Sequence, residues 1–417
     1  MAKIKDIKAR EILNALGYPT IEASIILDKG PIVSASVPSG TSVGRHEAQE
    51  LRDGDRHRYQ GQGVLRAVSK IHDIIAPALR GLKIGDQIAL DKRLLELDDS
   101  PDKSNLGANT MLAVSLAAAR SAATSAQEEL FTYLNREFSL GKSKIPVPLF
   151  NIFNGGRHAD TNLDFQEFLI IPRPDRAAEM IRMGAEIFHE LGAVLRESGY
   201  DTDTGSEGGY APDMDSSIEA LELIMAAIIR AGYQPGQDIK LGIDVGSSVL
   251  YDRESKKYIF PLDQANFYSS SLIGLYEEWL KKYPLAYLED GLAEDDWSGW
   301  RELTSELGDK LLVVGDDLFV SQSERLRRGL AEKVANAIII KPNQVGTLTE
   351  TMECLKLARR HGYKIIVSHR SGETGDDFIS DLAVAAGADY LKAGSLSRGE
   401  RSAKYNRLLA LDDLLSS

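Results

Sequence analysis

Six short apolar runs in the second half of the chain each stop at an ionisable residue, and their spacing leaves room for little except alternating strands and helices. The runs cover residues 240–244, 285–289, 311–316, 337–341, 365–369 and 388–392, and they end in Asp244, Glu289, Asp316, Lys341, His369 and Lys392. From Glu289 onward the ends recur about every 23 to 28 residues, the length of one strand-plus-helix unit. No glycine-rich phosphate fingerprint follows any run, which favours a closed barrel over an open dinucleotide-binding sheet. In such a barrel the strand C-termini converge on one mouth, so these six residues become neighbours despite their separation in sequence.

Taken singly, a carboxylate after a strand is usually a turn former or helix cap, and a lysine there is usually solvated. Six ionisable residues in register make a different case. Three carboxylates at one mouth repel one another unless a cation lies among them, and an all-oxygen set suits magnesium rather than zinc. Lys341, Lys392 and Arg370 beside them would hold an anionic substrate. A lysine in such company is expected to have its pKa lowered towards the range of a general base. Metal plus lysine base points to proton abstraction next to a carboxylate. Two further glutamates stand apart: Glu167 follows a glycine- and histidine-containing segment, and Glu207 sits in a turn flanked by Gly205, Gly208 and Gly209. Glycines there allow close backbone approach or positive φ, although a solvated loop is the plainer reading of Glu207.

The front of the chain reads differently. Residues 20–27 alternate as a half-buried strand, with Asp28, Lys29 and Gly30 supplying its turn into a hairpin. From about Val64 to Leu134 the period becomes helical, most clearly in the alanine-rich stretch after Gly107. The expected architecture is thus α/β: an N-terminal α+β capping domain over residues 1–135, strands then helices, a linker over 141–148, and a barrel over 145–417. No apolar run approaches the length of a membrane span, no signal-peptide pattern opens the chain, and a cytoplasmic protein is expected. Cys354 is the only cysteine, which excludes an intrachain disulfide and a multi-cysteine zinc site and fits a buried helix position. A formal charge of −13 argues against nucleic acid while leaving a small anionic substrate open.

These motifs resemble the enolases over residues 9–406. The matching segments are 38–42 with 47–55, 106–109, 154–156 through Glu167, 206–209, 288–290, 315–318, 341–344, 368–374 and 401–406. The resemblance implies the fold of that family, an α+β domain before a modified TIM (β/α)8 barrel. It implies that Asp244, Glu289 and Asp316 hold a structural magnesium, with Ser42 meeting a second magnesium that arrives with substrate. Lys341 resembles the base that removes the C2 proton of 2-phosphoglycerate, and Glu207, assisted by Glu167, the acid that protonates the departing C3 hydroxyl. His158, Gln166, His369, Arg370, Ser371 and Lys392 resemble the groups that hold phosphate, carboxylate and leaving group. The implied reaction is the glycolytic, reversible dehydration of 2-phosphoglycerate to phosphoenolpyruvate, by a homodimer or higher homo-oligomer.

The sequence departs from common enolase patterns at Leu16, where an arginine associated with the subunit contact is absent, and at Val43, Ser206, Gly291 and Ser395. Ser206 replaces an aspartate beside Glu207 and alters the field that glutamate feels. Two alternatives follow: a paralogue acting on a related phosphorylated or phosphonate substrate, as carboxyphosphoenolpyruvate synthases do, and a non-catalytic binding protein. A complete set of acid, base and metal residues argues against the second.

Overall fold

Alternation in the front segment does produce a half-buried strand. Strand β2 (Pro19–Leu27) buries Ile21, Ala23, Ile25 and Leu27 on one face and pairs antiparallel with β1 (Ile4–Leu13) and β3 (Val33–Ser36). The computed structural model describes residues 2–40 and 44–416. Against the sheet lies the helix Ala108–Ala126, which is buried on every side over residues 108–119. A helix without a polar face needs cover all round, and the sheet, the neighbouring helices and the barrel supply it. Gly107 starts it at φ +96°, where a Cβ would stand 2.5 Å from that of Leu51.

The last helix of this first region, Leu130–Phe138, leads through irregular backbone directly into the barrel. The expected linker is therefore shorter than read, because Pro148 already belongs to strand β4 (Val147–Asn154). With β5 (Glu167–Pro172) and β6 (Ile239–Asp244), β4 opens an eight-stranded closed barrel. A small antiparallel sheet follows, made of β7 (Tyr251–Asp252), β8 (Lys257–Phe260) and β9 (Ala265–Phe267). The barrel then resumes with β10 (Leu285–Glu289), β11 (Leu312–Gly315), β12 (Ala337–Ile340), β13 (Lys364–Ser368) and β14 (Tyr390–Lys392), which closes onto β4.

All six apolar runs form barrel strands, mutually parallel wherever they pair. The run pattern did not single out β4 and β5, and β5 runs antiparallel to both its neighbours. Its connection from β4 holds only the single turn Gly156–His158, with no crossover helix to return the chain for a parallel strand. This reversal matters for the site. It brings the first residue of β5, Glu167, to the mouth where the other strands end, in register with Asn154 and Asp244.

Inside the barrel, Leu149, Leu169, Ile171, Tyr287, Val314, Ala337, Ile339 and Ile366 form a core separate from the shell of apolar contacts outside. That plug makes the barrel solid and leaves only its mouth for chemistry. Cys354 is buried on the helix Leu348–Arg360, and no helix among the described residues is long and apolar enough to cross a membrane.

Candidate active site

Asp244, Glu289 and Lys392 are the last residues of β6, β10 and β14, while Asp316, Lys341 and His369 stand one step past β11, β12 and β13. The barrel thus gathers the six strand ends at one mouth. They do not form an open three-carboxylate pocket, because lysines reach in among them. Lys392 Nζ donates to Asp244 Oδ2 at 2.9 Å and Glu289 Oε2 at 2.7 Å, and lies 3.2 Å from Glu167 Oε2. Lys341 Nζ pairs with Asp316 Oδ2, whose other oxygen accepts from Gln344 Nε2 at 3.0 Å.

Burial and the charge of Asp244 push Glu289 well above the usual carboxylate range, against the pull of Lys392. Burial would lower Lys392, yet Asp244, Glu167 and Glu289 raise it well above its ordinary value. The expected lowering of the lysine pKa is not found at Lys341. Burial acts downwards there, but the paired Asp316 outweighs it together with the repulsion of Arg370 and Lys392.

The donor set suits a hard divalent cation. Its ligating atoms are carboxylate oxygens, it is buried, and Glu289 Oε1 has no hydrogen-bond partner. Asp290, Asp316 and Asp317 also bring oxygens close enough together to share an ion. Asp290 is already engaged by the backbone N–H groups of Asp316 and Asp317, each at 2.9 Å, so it shapes the loop that presents Asp316. Ser42 lies outside the described residues.

On the opposite side of the mouth two carboxylates meet two histidines. Glu207 comes from the loop after the helix Ala177–Glu197, which folds back along β4 through a bridge between Phe153 and Tyr210. The flanking glycines act as anticipated: Gly208 adopts φ +90°, and a Cβ on Gly205 would stand 2.6 Å from Asn154 Cβ. At 2% exposure Glu207 is no solvated loop residue. Its Oε1 accepts from Ser371 Oγ at 3.0 Å and its Oε2 from Asn151 Nδ2 at 3.2 Å. His369 Nε2 and His158 Nδ1 approach Oε2 at 3.4 and 3.5 Å.

The Ser371 proton points to Glu207, so Ser371 Oγ accepts from His158 Nε2 at 3.3 Å. His158 Nδ1 lies 3.2 Å from Glu167 Oε1 without hydrogen-bond alignment. Burial raises Glu167, only partly offset by Lys392. Burial acts the same way on Glu207, but the charge of His158 and the hydrogen bond from His369 overcome it and hold Glu207 well below the usual range. Adjacent carboxylates driven apart in this way divide the roles of proton holder and anion.

The anion-holding candidates close the ring. Arg370 Nη1 donates to Glu47 Oε2 at 2.7 Å and to Asn343 Oδ1 at 3.2 Å, with Nη2 3.2 Å from Glu47 Oε1, in a buried pair that ties the front domain to the barrel. Gln166 Nε2 donates to Asp244 Oδ2 at 3.3 Å. Lys341, Glu207, Glu167, His158, Gln166, His369, Arg370, Ser371, Lys392 and Asp244 line a single cavity, with Glu289 and Asp316 one contact away through the two lysines.

Two family models divide the chain between them. The enolase N-terminal domain matches residues 4–134, and the enolase C-terminal TIM barrel domain matches residues 142–417. The chain belongs to the enolase family. An enolase-type lyase, with acidic clusters able to hold a metal, is what this barrel mouth serves.

Of the departures from common enolase patterns, Val43 lies outside the described residues and nothing in the structure explains Leu16, while Ser206, Gly291 and Ser395 make local contacts. Ser206 Oγ donates to the carbonyl of His158 at 2.8 Å, so it braces the histidine's backbone rather than the Glu207 carboxylate. Ser395 N donates to the Glu207 carbonyl at 2.9 Å, and a Cβ on Gly291 would stand 3.1 Å from Leu288 Cδ2. Sequence reasoning assigned no role to Glu47, Asn151, Asp290, Gln344 or Arg401. Asn151 did leave a signal, as a polar residue in the otherwise apolar stretch of β4, fully buried and bonded to Glu207.

Proposed function

We propose that this enolase-family protein catalyses the reversible dehydration of 2-phosphoglycerate to phosphoenolpyruvate. The observation that carries the reading is the single cavity lined at once by Lys341, by the Glu167/Glu207 pair with its histidines, and by Arg370, Ser371, Gln166 and Lys392. Base, acid and anion-holding groups then act on one small substrate.

Lys341, released from Asp316, takes the proton from the carbon next to the carboxylate. Burial pushes Glu167 up while its neighbour Glu207 is held down, and His158 lies near both, so this cluster can supply the proton that the leaving C3 hydroxyl requires. Arg370 offers its guanidinium to the phosphate, with Ser371 and Gln166 orienting the rest. Asp244, Glu289 and Asp316 would hold magnesium, with Ser42 completing a second site when substrate binds. Bound magnesium supplies charge stabilisation at the substrate carboxylate, without which so weak a carbon acid would not ionise.

The cavity is only about 20 Å³, so a phosphorylated three-carbon acid enters as the lysine–carboxylate pairs separate. We also expect a homodimer or higher homo-oligomer in the cytoplasm. The test is to mix the purified protein with 2-phosphoglycerate and magnesium and follow phosphoenolpyruvate by its ultraviolet absorbance, with EDTA as control. Metal-dependent product supports the reading; no product at saturating substrate and metal refutes it.

A further inference from the structure

Arg401 sits in the first turn of the helix Gly399–Ser416, and its side chain has no solvent exposure. Burying a guanidinium is costly unless its donors are used, and here both terminal nitrogens are spent on the segments that deliver the active-site residues, while Nε has no hydrogen-bond partner among the described residues. Nη1 donates to the Arg370 carbonyl at 2.7 Å, and Nη2 to the carbonyls of Ser371 at 2.6 Å and Ser206 at 3.2 Å. The fourth contact differs in kind: Nη1 lies 2.5 Å from His369 Nδ1. Gly394 makes room for the clamp, since a Cβ there would stand 2.8 Å from Arg401 Cδ and 3.1 Å from His369 Cε1.

A guanidinium only donates and does not lose its proton in a protein. An imidazole nitrogen facing it at hydrogen-bond distance must therefore be the acceptor, which leaves the ring proton on Nε2. That nitrogen is the one directed at Glu207 Oε2, 3.4 Å away.

We propose that Arg401 is a positioning residue that fixes His369 as the neutral Nε2–H tautomer, so that His369 meets Glu207 as a hydrogen-bond donor and not as a competing base. The electrostatics agree with the geometry. Burial and then the Arg401 charge push His369 down to about 4, against the raising effect of Glu207. The inference rests on the reading of Glu207 as part of the acid, because only then does the donor at Oε2 bear on turnover. A neutral His369 leaves proton storage to Glu167 and His158, and the same arginine holds the Glu207 loop and the Arg370–Ser371 turn in fixed relation.

The first test needs no variant. In ¹⁵N-histidine-labelled protein, the His369 signals are identified among the 7 histidines as those lost in His369→Asn. Between about pH 5.5 and 8 they should show a protonated Nε2 and an unprotonated Nδ1 throughout. Arg401→Met should free Nδ1 to accept a proton, so that the ring titrates at a higher pH than in wild type. It should also lower kcat about tenfold or more, with less change in KM, and create an acid limb in the kcat profile at the pH of that titration. Arg401→Lys keeps a cationic donor facing Nδ1 and should restore the Nε2–H tautomer and remove the limb, although it loses part of the carbonyl clamp.

A wild-type His369 protonated on Nδ1, or on both nitrogens near neutrality, overturns the proposal. So does a folded Arg401→Met variant whose tautomer and pH profile match wild type. If Arg401→Met does not fold, the wild-type spectrum and Arg401→Lys decide. Should the wild-type protein make no phosphoenolpyruvate, the proposed reaction falls separately, and the nitrogen spectrum still reports the tautomer.

Discussion

Replacing Lys392 by methionine, which keeps the length and apolar stem but not the charge, would leave Asp244, Glu289 and Glu167 facing one another without the ammonium that now bridges them. Lys392 is 2% exposed, so water does not take its place. Breaking a buried ion pair by removing one partner costs about 3–5 kcal/mol. Unfolding entropy of about 2.1 cal/mol/K per residue over 417 residues gives roughly 0.9 kcal/mol/K, so a cooperative transition should move down by about 3–6 °C. The assay is calorimetry of wild type and Lys392→Met in EDTA and again with magnesium. Magnesium should recover more stability in the variant, because in wild type the cation must first displace Lys392 from the same oxygens. Equal transition temperatures in EDTA, or the same magnesium increment in both proteins, would refute the reasoning.

Other consequences follow from single contacts. Asp91 is fully buried and accepts from Ser115 Oγ, Gln87 Nε2, and both the N–H and hydroxyl of Thr349; burial pushes it from 3.8 up to about 6. Folding therefore favours its protonated form, so its contribution is fully present below about pH 4 and is lost as pH rises through 6; compared with Asp91→Asn, wild type should lose about 2–3 kcal/mol over that window in urea titrations. Burial likewise raises the Cys354 thiol to about 12, so a thiol-specific reagent should label the native protein negligibly and the urea-unfolded protein fully at pH 8. Arg370→Lys cannot keep both Glu47 oxygens and Asn343 in reach, so KM for 2-phosphoglycerate should rise about tenfold or more and the transition temperature should fall by about 1–3 °C as buried acceptors lose their donors.

Much of this was legible in the sequence because barrel geometry turns a regular spacing into proximity. Asp244, Glu289, Asp316, Lys341, His369 and Lys392 needed only the rule that parallel strands end at one mouth. The rule fails for β5, since nothing in the residues before Glu167 states that the chain turns back without a crossover helix. Charge pairing was less legible still. Spacing placed Lys341 and Lys392 among carboxylates, but only the side-chain directions show that each lysine neutralises them, which reverses the expected lowering at Lys341. Arg401 was visible as part of a motif. Its contact with His369 joins a helix to a strand end 32 residues earlier, a relation that no periodicity encodes.

The central claim is that Lys341 removes the C2 proton while the Glu207 cluster serves only the later loss of the C3 hydroxyl as water. The most direct test is exchange of the C2 proton of 2-phosphoglycerate with heavy water, followed by proton NMR in the presence of magnesium. Wild type should exchange the proton and form phosphoenolpyruvate. Glu207→Gln should still exchange while forming product at least about a hundredfold more slowly, and Lys341→Ala should do neither. Exchange that survives in Lys341→Ala, or that disappears in Glu207→Gln, would contradict this division of roles.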